Sequence, residues 1–200
     1  MRSKHCIAIY TTASVLITAG GSFAGHLPVA TGQVVFTDVG EVTVDVRTVN
    51  EPTTTQAVAA LRLASQFCAN LPRSEYVIDC YAAQLEDIAR SLPKTGDYAQ
   101  ARALIAQTAA RLNTVAREGA SDALPRIRVK PGGGSPKPAS RLLTAVATAQ
   151  LPQASMKAVE ILRETQTLLL RSTSNSDNRR SHYERIAQSM ETGTILLRSL

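Results

Sequence analysis

The stretch CANLPRSEYVIDC, residues 68–80, places two cysteines on either side of a chain reversal and decides how the first helices must pack. Ser74 lies midway between Cys68 and Cys80. At about 1.5 Å per helical residue, each cysteine lies roughly 9 Å from the bend, on helices that run in opposite directions. The spacing therefore predicts a disulfide bond that joins a helical hairpin, with free buried thiols as the alternative. Closing such a loop stabilises a fold by about 3 kcal/mol in the chain-entropy model.

Apolar residues recur at three- and four-residue steps on both sides of this turn, as they do in amphipathic helices. A capping box of Thr53 and Gln56 is expected to begin the first helix, and Ser74 and Asp97 to cap the next two. Residues 53–118 are therefore predicted to form a disulfide-clasped three-helix unit. Its core-facing stripes are Val58, Leu61, Ser65 and Cys68; then Val77, Cys80, Tyr81, Leu85, Ile88 and Leu92; and then Tyr98, Ala101, Ile105, Ala109, Leu112 and Ala116.

The composition changes between residues 119 and 138, which hold three consecutive glycines, four prolines and four basic side chains. Such a segment is typical of a flexible, partly extended linker. Basic residues in a linker also serve solubility alone, so both interpretations stay open. The candidate contact patch for an anionic partner consists of Arg126, Arg128, Lys130, Lys137 and Arg141.

Helical periodicity returns after the linker, at residues 139–150 and 153–172, and Pro152 separates the two stretches. A polar break then precedes a final helix. Residues 139–200 are therefore predicted to form a C-terminal helical unit. The apolar face of its second stretch is Met156, Val159, Leu162, Gln166 and Leu169, and that of its last helix is Tyr183, Ile186, Ala187 and Met190.

Before the helices, valines at positions 42, 44 and 46 alternate with polar residues, which is the pattern of a half-buried β-strand. Residues 25–52 are expected to hold a lead-in and a small β-hairpin. The fold class predicted is mainly α, a helical hairpin or bundle of about five to six helices with this N-terminal hairpin and a Gly/Pro-rich central linker. Two questions stay open: whether the two helical units share one core, and whether residues 194–200 form a strand or continue the last helix.

The first residues have the pattern of a signal peptide. Arg2 and Lys4 precede an apolar run, and Ser22 and Ala24 put small residues at the −3 and −1 positions of a cleavage site. The run is shorter than the roughly 20 apolar residues of a membrane span. Residues 1–24 are therefore predicted to be removed, which leaves an exported protein, periplasmic or extracellular, without a transmembrane span. An uncleaved anchor or a buried helix is the alternative.

The net charge of the whole chain is +6, which is a mild surplus. Nucleic-acid binding usually needs basic groups concentrated on one face, so no nucleic-acid partner is predicted. Removal of the leader leaves Cys68 and Cys80 as the only cysteines, and two thiols without further ligands do not complete a zinc site. No metal and no cofactor are therefore expected.

Three short motifs resemble the active-site set of penicillin-binding proteins and serine β-lactamases, namely Ser91-x-x-Lys94, Lys94-Thr95-Gly96 and Ser176-Asp177-Asn178. Their order along the chain differs from that family, and Lys94 would have to serve in two motifs at once. His182 is expected on the surface of the last helix, without a carboxylate placed to orient it. The sequence therefore assigns no catalytic residue.

These features favour an exported, non-catalytic interaction or structural protein of the cell envelope, with an unknown protein partner. The alternative is a binding module that uses the basic linker to bind an anionic envelope polymer. An uncharacterised hydrolase is the third hypothesis.

Overall fold

The computed structural model describes residues 48–129, 141–173 and 177–200. These residues form five α-helices, and three short 3-10 turns precede α2, α3 and α4. The predicted mainly helical class is thus confirmed, whereas the predicted signal peptide and β-hairpin strands lie outside the described residues. The helices are α1 (Glu51–Ala69), α2 (Val77–Ser91), α3 (Ala99–Glu118), α4 (Leu151–Arg171) and α5 (Asp177–Arg198), and the turns are Ser74–Tyr76, Gly96–Tyr98 and Thr148–Gln150.

The five helices form a closed ring, in which each helix packs on the next and α5 returns to α1. Consecutive helices run antiparallel. Because five is an odd number, the pair that closes the ring, α1 and α5, must run parallel. Their hydrogen bonds show this direction: Thr54 contacts His182 near the start of both helices, and Ser65 contacts Thr192 further along both.

One hydrophobic cluster fills the ring and includes side chains from all five helices. Its largest fully buried side chains are three tyrosines, Tyr81, Tyr98 and Tyr183. Because helices from both sides of residues 119–138 contribute, the two predicted helical units share this core. The other open question is also answered, since α5 continues as a helix to Arg198. No helix in the described ranges combines the length and apolarity needed to cross a membrane.

The start of α1 differs from the predicted capping box. The helix begins at Glu51, and the side-chain oxygen of Asn50 accepts a hydrogen bond from the backbone N–H of Thr53 at 3.0 Å. Pro52 lies in the first turn, where a missing N–H disturbs no helical hydrogen bond. Asparagine is among the strongest N-caps, so the cap lies three residues earlier than the box of Thr53 and Gln56 required.

The predicted caps of α2 and α3 are also wrong. Both helices are preceded by a 3-10 turn, and no side chain caps either of them. Asp97 instead accepts hydrogen bonds from the backbone N–H of Val49 at 3.3 Å and from Arg179 at 2.6 Å. Its carboxylate therefore joins the segment before α1 to the first turn of α5.

The helix predicted at residues 139–150 is wrong for its described part. Residues 141–147 are extended, and only Thr148–Gln150 form a 3-10 turn. Antiparallel bridges pair Ala120 with Val146 and Ile127 with Leu143. The extended form is favoured because the backbone N–H of Val146 can then donate a hydrogen bond to the carbonyl of Glu75, at 2.8 Å. This bond connects the segment to the turn before α2, and it could not form if residues 139–150 were a helix.

The described part of the predicted linker is irregular, with a turn at Gly119, bends at residues 122–124 and bridge residues at Ala120 and Ile127. Leu124, Ile127 and Val129 pack against the core, and the hydroxyl of Tyr76 donates to the carbonyl of Pro125 at 2.6 Å. Residues 119–129 therefore form a wall of the helical body. Lys130 and Lys137 lie outside the described residues.

One residue of the predicted apolar face of α4, Met156, is not buried. Met156 leaves 68% of its surface exposed, whereas Ala158, Leu162 and Leu169 are fully buried. Small residues such as Ala158 let neighbouring helices approach closely. The neighbouring helices therefore pack against the side of α4 that carries Ala158, and Met156 remains exposed to solvent.

The disulfide pairs Cys68, in the last turn of α1, with Cys80 in the first turn of α2, and their Cα atoms lie 5.8 Å apart. Both cysteines are almost completely buried. The structure therefore brings together the pair that the sequence spacing predicts, at the point where α1 turns into α2.

The Cys68→Ala, Cys80→Ala double variant should lower the free energy of unfolding by about 3 kcal/mol, because the sequence separation of 12 residues closes a loop of moderate size. Urea unfolding followed by circular dichroism measures this difference. Reduced wild type should match the double variant. Equal stabilities of the oxidised wild type and the double variant would contradict the assignment.

Tyr81 reaches across the ring to α5, where Gly193 makes room for it. A Cβ atom at Gly193 would fall far inside van der Waals distance of the Tyr81 ring and hydroxyl. Burial raises the pKa of Tyr81 to about 12, and the nearby Ser65 hydroxyl opposes only part of that shift. The Tyr81 hydroxyl has no hydrogen-bond partner of good geometry among the described residues.

Gly193→Ala should therefore lower the free energy of unfolding by about 1 to 3 kcal/mol, the usual effect of overpacking a core. Helix propensity alone predicts the opposite sign, a gain of about 1 kcal/mol. The free energies of unfolding of wild type and Gly193→Ala, measured by thermal and urea unfolding, show which sign is correct. In a double-mutant cycle with Tyr81→Leu, the effect of Gly193→Ala should shrink, and an unchanged effect would show that Tyr81 is not its cause.

Candidate anion-binding cleft

Asp79, in the first turn of α2, is a fully buried carboxylate around which a polar cluster is built. Its Oδ1 atom accepts hydrogen bonds from Arg141 at 2.6 Å and from the amide of Asn113 at 2.8 Å. Its Oδ2 atom accepts from Arg141 and from the backbone N–H of Thr144, both at 2.7 Å. A buried charge needs such partners, and here they join α2 to α3 and to the extended residues 141–147.

Arg141 is the cation that balances this carboxylate. Its guanidinium bonds both oxygens of Asp79, and Glu86 lies 3.7 Å from its Nε atom. Burial disfavours the charge of Arg141, but the hydrogen bonds and charge of Asp79, together with Glu86, outweigh burial and raise the pKa of Arg141. Arg141 is therefore an anchor whose charge is already neutralised.

A cleft of about 440 Å³ opens beside this ion pair. Helix α3 contributes the first part of its wall, residues 119–129 the second, and the segment after residue 140 the third. The lining residues are Asn113, Arg117, Ala120, Arg126, Arg141 and Thr144. The sequence places two of these in the candidate patch, Arg126 and Arg141, and the structure brings both to one cleft.

Arg117 and Arg126 give the cleft its positive charge. Both side chains are exposed, and neither forms an ion pair with any residue that the structure describes. They come from different elements, since Arg117 lies in the last turn of α3 and Arg126 on the irregular segment after it. Guanidinium groups bind carboxylate and phosphate oxygens through paired hydrogen bonds, and a cleft concentrates their field.

Two neutral polar side chains complete the lining. Asn113 donates its amide N–H to Asp79, and its side-chain oxygen accepts no hydrogen bond from the described residues. The hydroxyl of Thr144 likewise makes no hydrogen bond within the described ranges, although the backbone of Thr144 is held by Asp79. The cleft therefore offers fixed neutral groups beside two unneutralised cations.

The patch predicted from the sequence did not include Arg117, and the sequence did not indicate that Arg141 pairs with Asp79. Arg117 lies one helical turn after Asn113 and just before the basic segment. This spacing was the sequence feature that could have identified Arg117 as a residue of the cleft. Arg128 is exposed but does not line the cleft. The remaining two patch residues, Lys130 and Lys137, lie outside the described residues.

A second groove, of about 580 Å³, runs along α4. Although it is larger than the cleft, its lining carries two acidic and two basic side chains that balance each other, Glu160, Glu164, Arg163 and Arg198. Glu164 is moreover paired with Arg111 at 2.7 Å. The charges that line this groove sum to zero, so the positively charged cleft at Arg117 is the better candidate for an anion-binding site.

His182 is buried rather than at the surface, which corrects the sequence prediction. Its Nδ1 atom lies 2.7 Å from the hydroxyl of Thr54, which lies 2.7 Å from the hydroxyl of Tyr98. Thr54 and Tyr98 are completely buried, so no substrate reaches this chain of hydroxyls and it serves to join α1, α3 and α5. The signal was present, because His182 shares the stripe of Ile186 and Met190 at four-residue steps.

Of the motifs that resemble those of a serine hydrolase, the structure describes only a part, and Asp97 and Arg179, the residues that follow Gly96 and Asn178, form an ion pair at 2.6 Å. Ser91 ends α2, and its hydroxyl donates to the carbonyl of Ile88 at 2.7 Å, while Ser176 lies outside the described residues. Among the described residues, no group of three His, Cys, Asp or Glu side chains is placed to hold a metal ion.

Comparison with known proteins finds no family model, no curated protein and no solved structure that matches this chain.

Arg141→Met should lower the free energy of unfolding by about 3 to 5 kcal/mol, because it leaves the Asp79 carboxylate buried without its counterion. Arg128→Met, a control at an exposed arginine, should change it by less than about 0.5 kcal/mol. Urea unfolding of the two variants provides the comparison. Adding Asp79→Asn to Arg141→Met should restore part of the stability, and equal stabilities of Arg141→Met and the control would contradict the anchoring role.

Proposed function

We propose that this chain is an exported, non-catalytic binding protein that holds an anionic polymer of the cell envelope in the arginine-lined cleft. The observation that carries the proposal is that two exposed arginines, Arg117 and Arg126, line one cleft and form no ion pair with the residues that the structure describes. Of the hypotheses raised by the sequence, the polymer-binding one gains a candidate site. The hypothesis of an unknown protein partner gains no candidate site from the described residues.

The charge arrangement favours binding over a purely structural role. One arginine of the cleft, Arg141, is neutralised by Asp79 and keeps the wall in place. The other two are left for a ligand, and electrostatic attraction in a cleft raises the local concentration of anions. Exposed arginines on a rigid wall bind an extended polyanion better than arginines on a free linker, because less conformational entropy is lost on binding.

The wall that carries Arg126 is held from two sides. The backbone of Ile127 exchanges hydrogen bonds with Leu143, at 3.1 and 2.7 Å, and the Tyr76 hydroxyl bonds the carbonyl of Pro125, the residue before Arg126. These contacts fix the backbone on both sides of Arg126. The cleft is therefore organised before any ligand binds.

The export part of the proposal is supported by the cysteine pair. A buried disulfide persists in an oxidising compartment such as the periplasm or the extracellular space. Together with the leader pattern at residues 1–24, this favours a mature protein outside the cytosol.

Arg117→Ala and Arg126→Ala should each weaken binding to an anionic polysaccharide by about threefold to tenfold, and the double variant by more. Arg128→Ala is the matched control, because it removes an exposed arginine two residues away that does not line the cleft. Isothermal titration calorimetry at low ionic strength measures the dissociation constants.

The same titrations in 0.5 M NaCl should show much weaker binding, since salt screens exposed charges. If all three arginine variants lose affinity equally, the attraction is a diffuse surface effect and the cleft is not the site. If affinity does not depend on salt, the electrostatic proposal fails.

A further inference from the structure

We infer that the ligand of the cleft is an acidic saccharide, a chain of sugar units that carry carboxylate groups, rather than an anion that lacks hydrogen-bond donors. This inference rests on the proposed function, since it takes Arg117 and Arg126 as the cations of the site. It goes further by assigning a role to the two neutral side chains of the lining, Asn113 and Thr144.

The side-chain oxygen of Asn113 selects for a donor. Its amide nitrogen is held by Asp79 at 2.8 Å, which fixes which end of the amide is left for a ligand. A carbonyl oxygen only accepts hydrogen bonds, so a ligand that displaces water from it must bring an O–H or N–H group in its place. Phosphate and carboxylate oxygens, when ionised, cannot do so.

The hydroxyl of Thr144 provides the complementary group. It both donates and accepts, and the backbone of Thr144 is fixed by the bond of its N–H to Asp79 at 2.7 Å. Asn113 and Thr144 are thus positioned by the same carboxylate. A ligand that carries several hydroxyls on one compact ring satisfies both of them at once, and a carboxylate on that ring pairs with a guanidinium.

The size of the cleft agrees with this class of ligand. Its volume of about 440 Å³ lies within the range of sites that hold small organic molecules rather than single inorganic ions. One or two sugar units fill such a space. An acidic peptide offers one backbone N–H per residue and no hydroxyl on its acidic side chains, so it matches the two neutral groups less well.

The test compares four probes on the mature wild-type protein at equal ionic strength: oligogalacturonate, polyphosphate, polyglutamate and neutral dextran. Chain lengths are chosen so that the three anions carry similar charge. Isothermal titration calorimetry should give oligogalacturonate a dissociation constant at least about tenfold lower than that of polyphosphate or polyglutamate, as expected for one or two well-formed hydrogen bonds. Dextran should bind far more weakly than any anion.

Thr144→Val is the decisive variant because it removes the hydroxyl and keeps the shape of the side chain and the backbone bond to Asp79. It should weaken oligogalacturonate binding by about fivefold to tenfold, because saccharide hydroxyls can both donate to and accept from Thr144, and polyphosphate binding by about threefold or less, because phosphate oxygens only accept. Urea unfolding checks that the variant is as stable as wild type. Arg117→Ala, by contrast, should weaken the binding of all three anions.

The outcomes distinguish the proposed function, anion binding in the cleft, from the inference that the anion is an acidic saccharide. Tighter binding of polyphosphate, or an equal effect of Thr144→Val on both polymers, overturns the saccharide inference and leaves anion binding intact. Preference for polyglutamate overturns it in favour of an acidic peptide. Binding of no anion, or binding that Arg117→Ala and Arg126→Ala leave unchanged, overturns the proposed function and with it this inference.

Discussion

The buried carboxylate of Asp79 is the constraint on which the rest of the site depends. It accepts hydrogen bonds from Asn113, Arg141 and the backbone of Thr144, so a helix, a neighbouring helix and an extended segment meet at one charged group. Burying a charge is unfavourable unless it is fully paired, and that requirement dictates where the extended segment must lie. The cleft beside it exists because the segment is held there. Arg141 is thus paired with Asp79, whereas Arg117 and Arg126 remain exposed at the surface.

The odd number of helices determines which helix ends lie together in the bundle. In a ring of five, one neighbouring pair must be parallel, and here that pair is α1 and α5. The starts of α1, α3 and α5 consequently gather at one end. Thr54, Tyr98 and His182 fill this crowded end with hydrogen bonds, which buried polar groups require.

Periodicity in the sequence was enough to predict the helices and most of the core. The stripes of α2 and α3 are buried as expected, because amphipathic spacing reflects a local geometry that packing does not alter. The extended residues 141–147 could not be predicted in this way, since their conformation depends on Glu75 and Asp79, more than sixty residues earlier. For the same reason, composition indicated a basic patch but could not separate Arg141, which is neutralised, from Arg126, which is not. Arg117 lies outside the basic segment, in α3, and its place in the cleft depends on how α3 packs against the rest of the bundle.

Helix α1 runs from one end of the bundle to the other, so the features at its start and at its end lie far apart. Asn50 and the start of α1 lie beside Tyr98, at the opposite end of the ring from the disulfide and from Asp79. The 19 residues of α1 span about 28 Å, so the chain joins the helical body at roughly that distance from Arg117. Thr48 and the two exposed arginines, Arg117 and Arg126, therefore lie at opposite poles of the helical bundle.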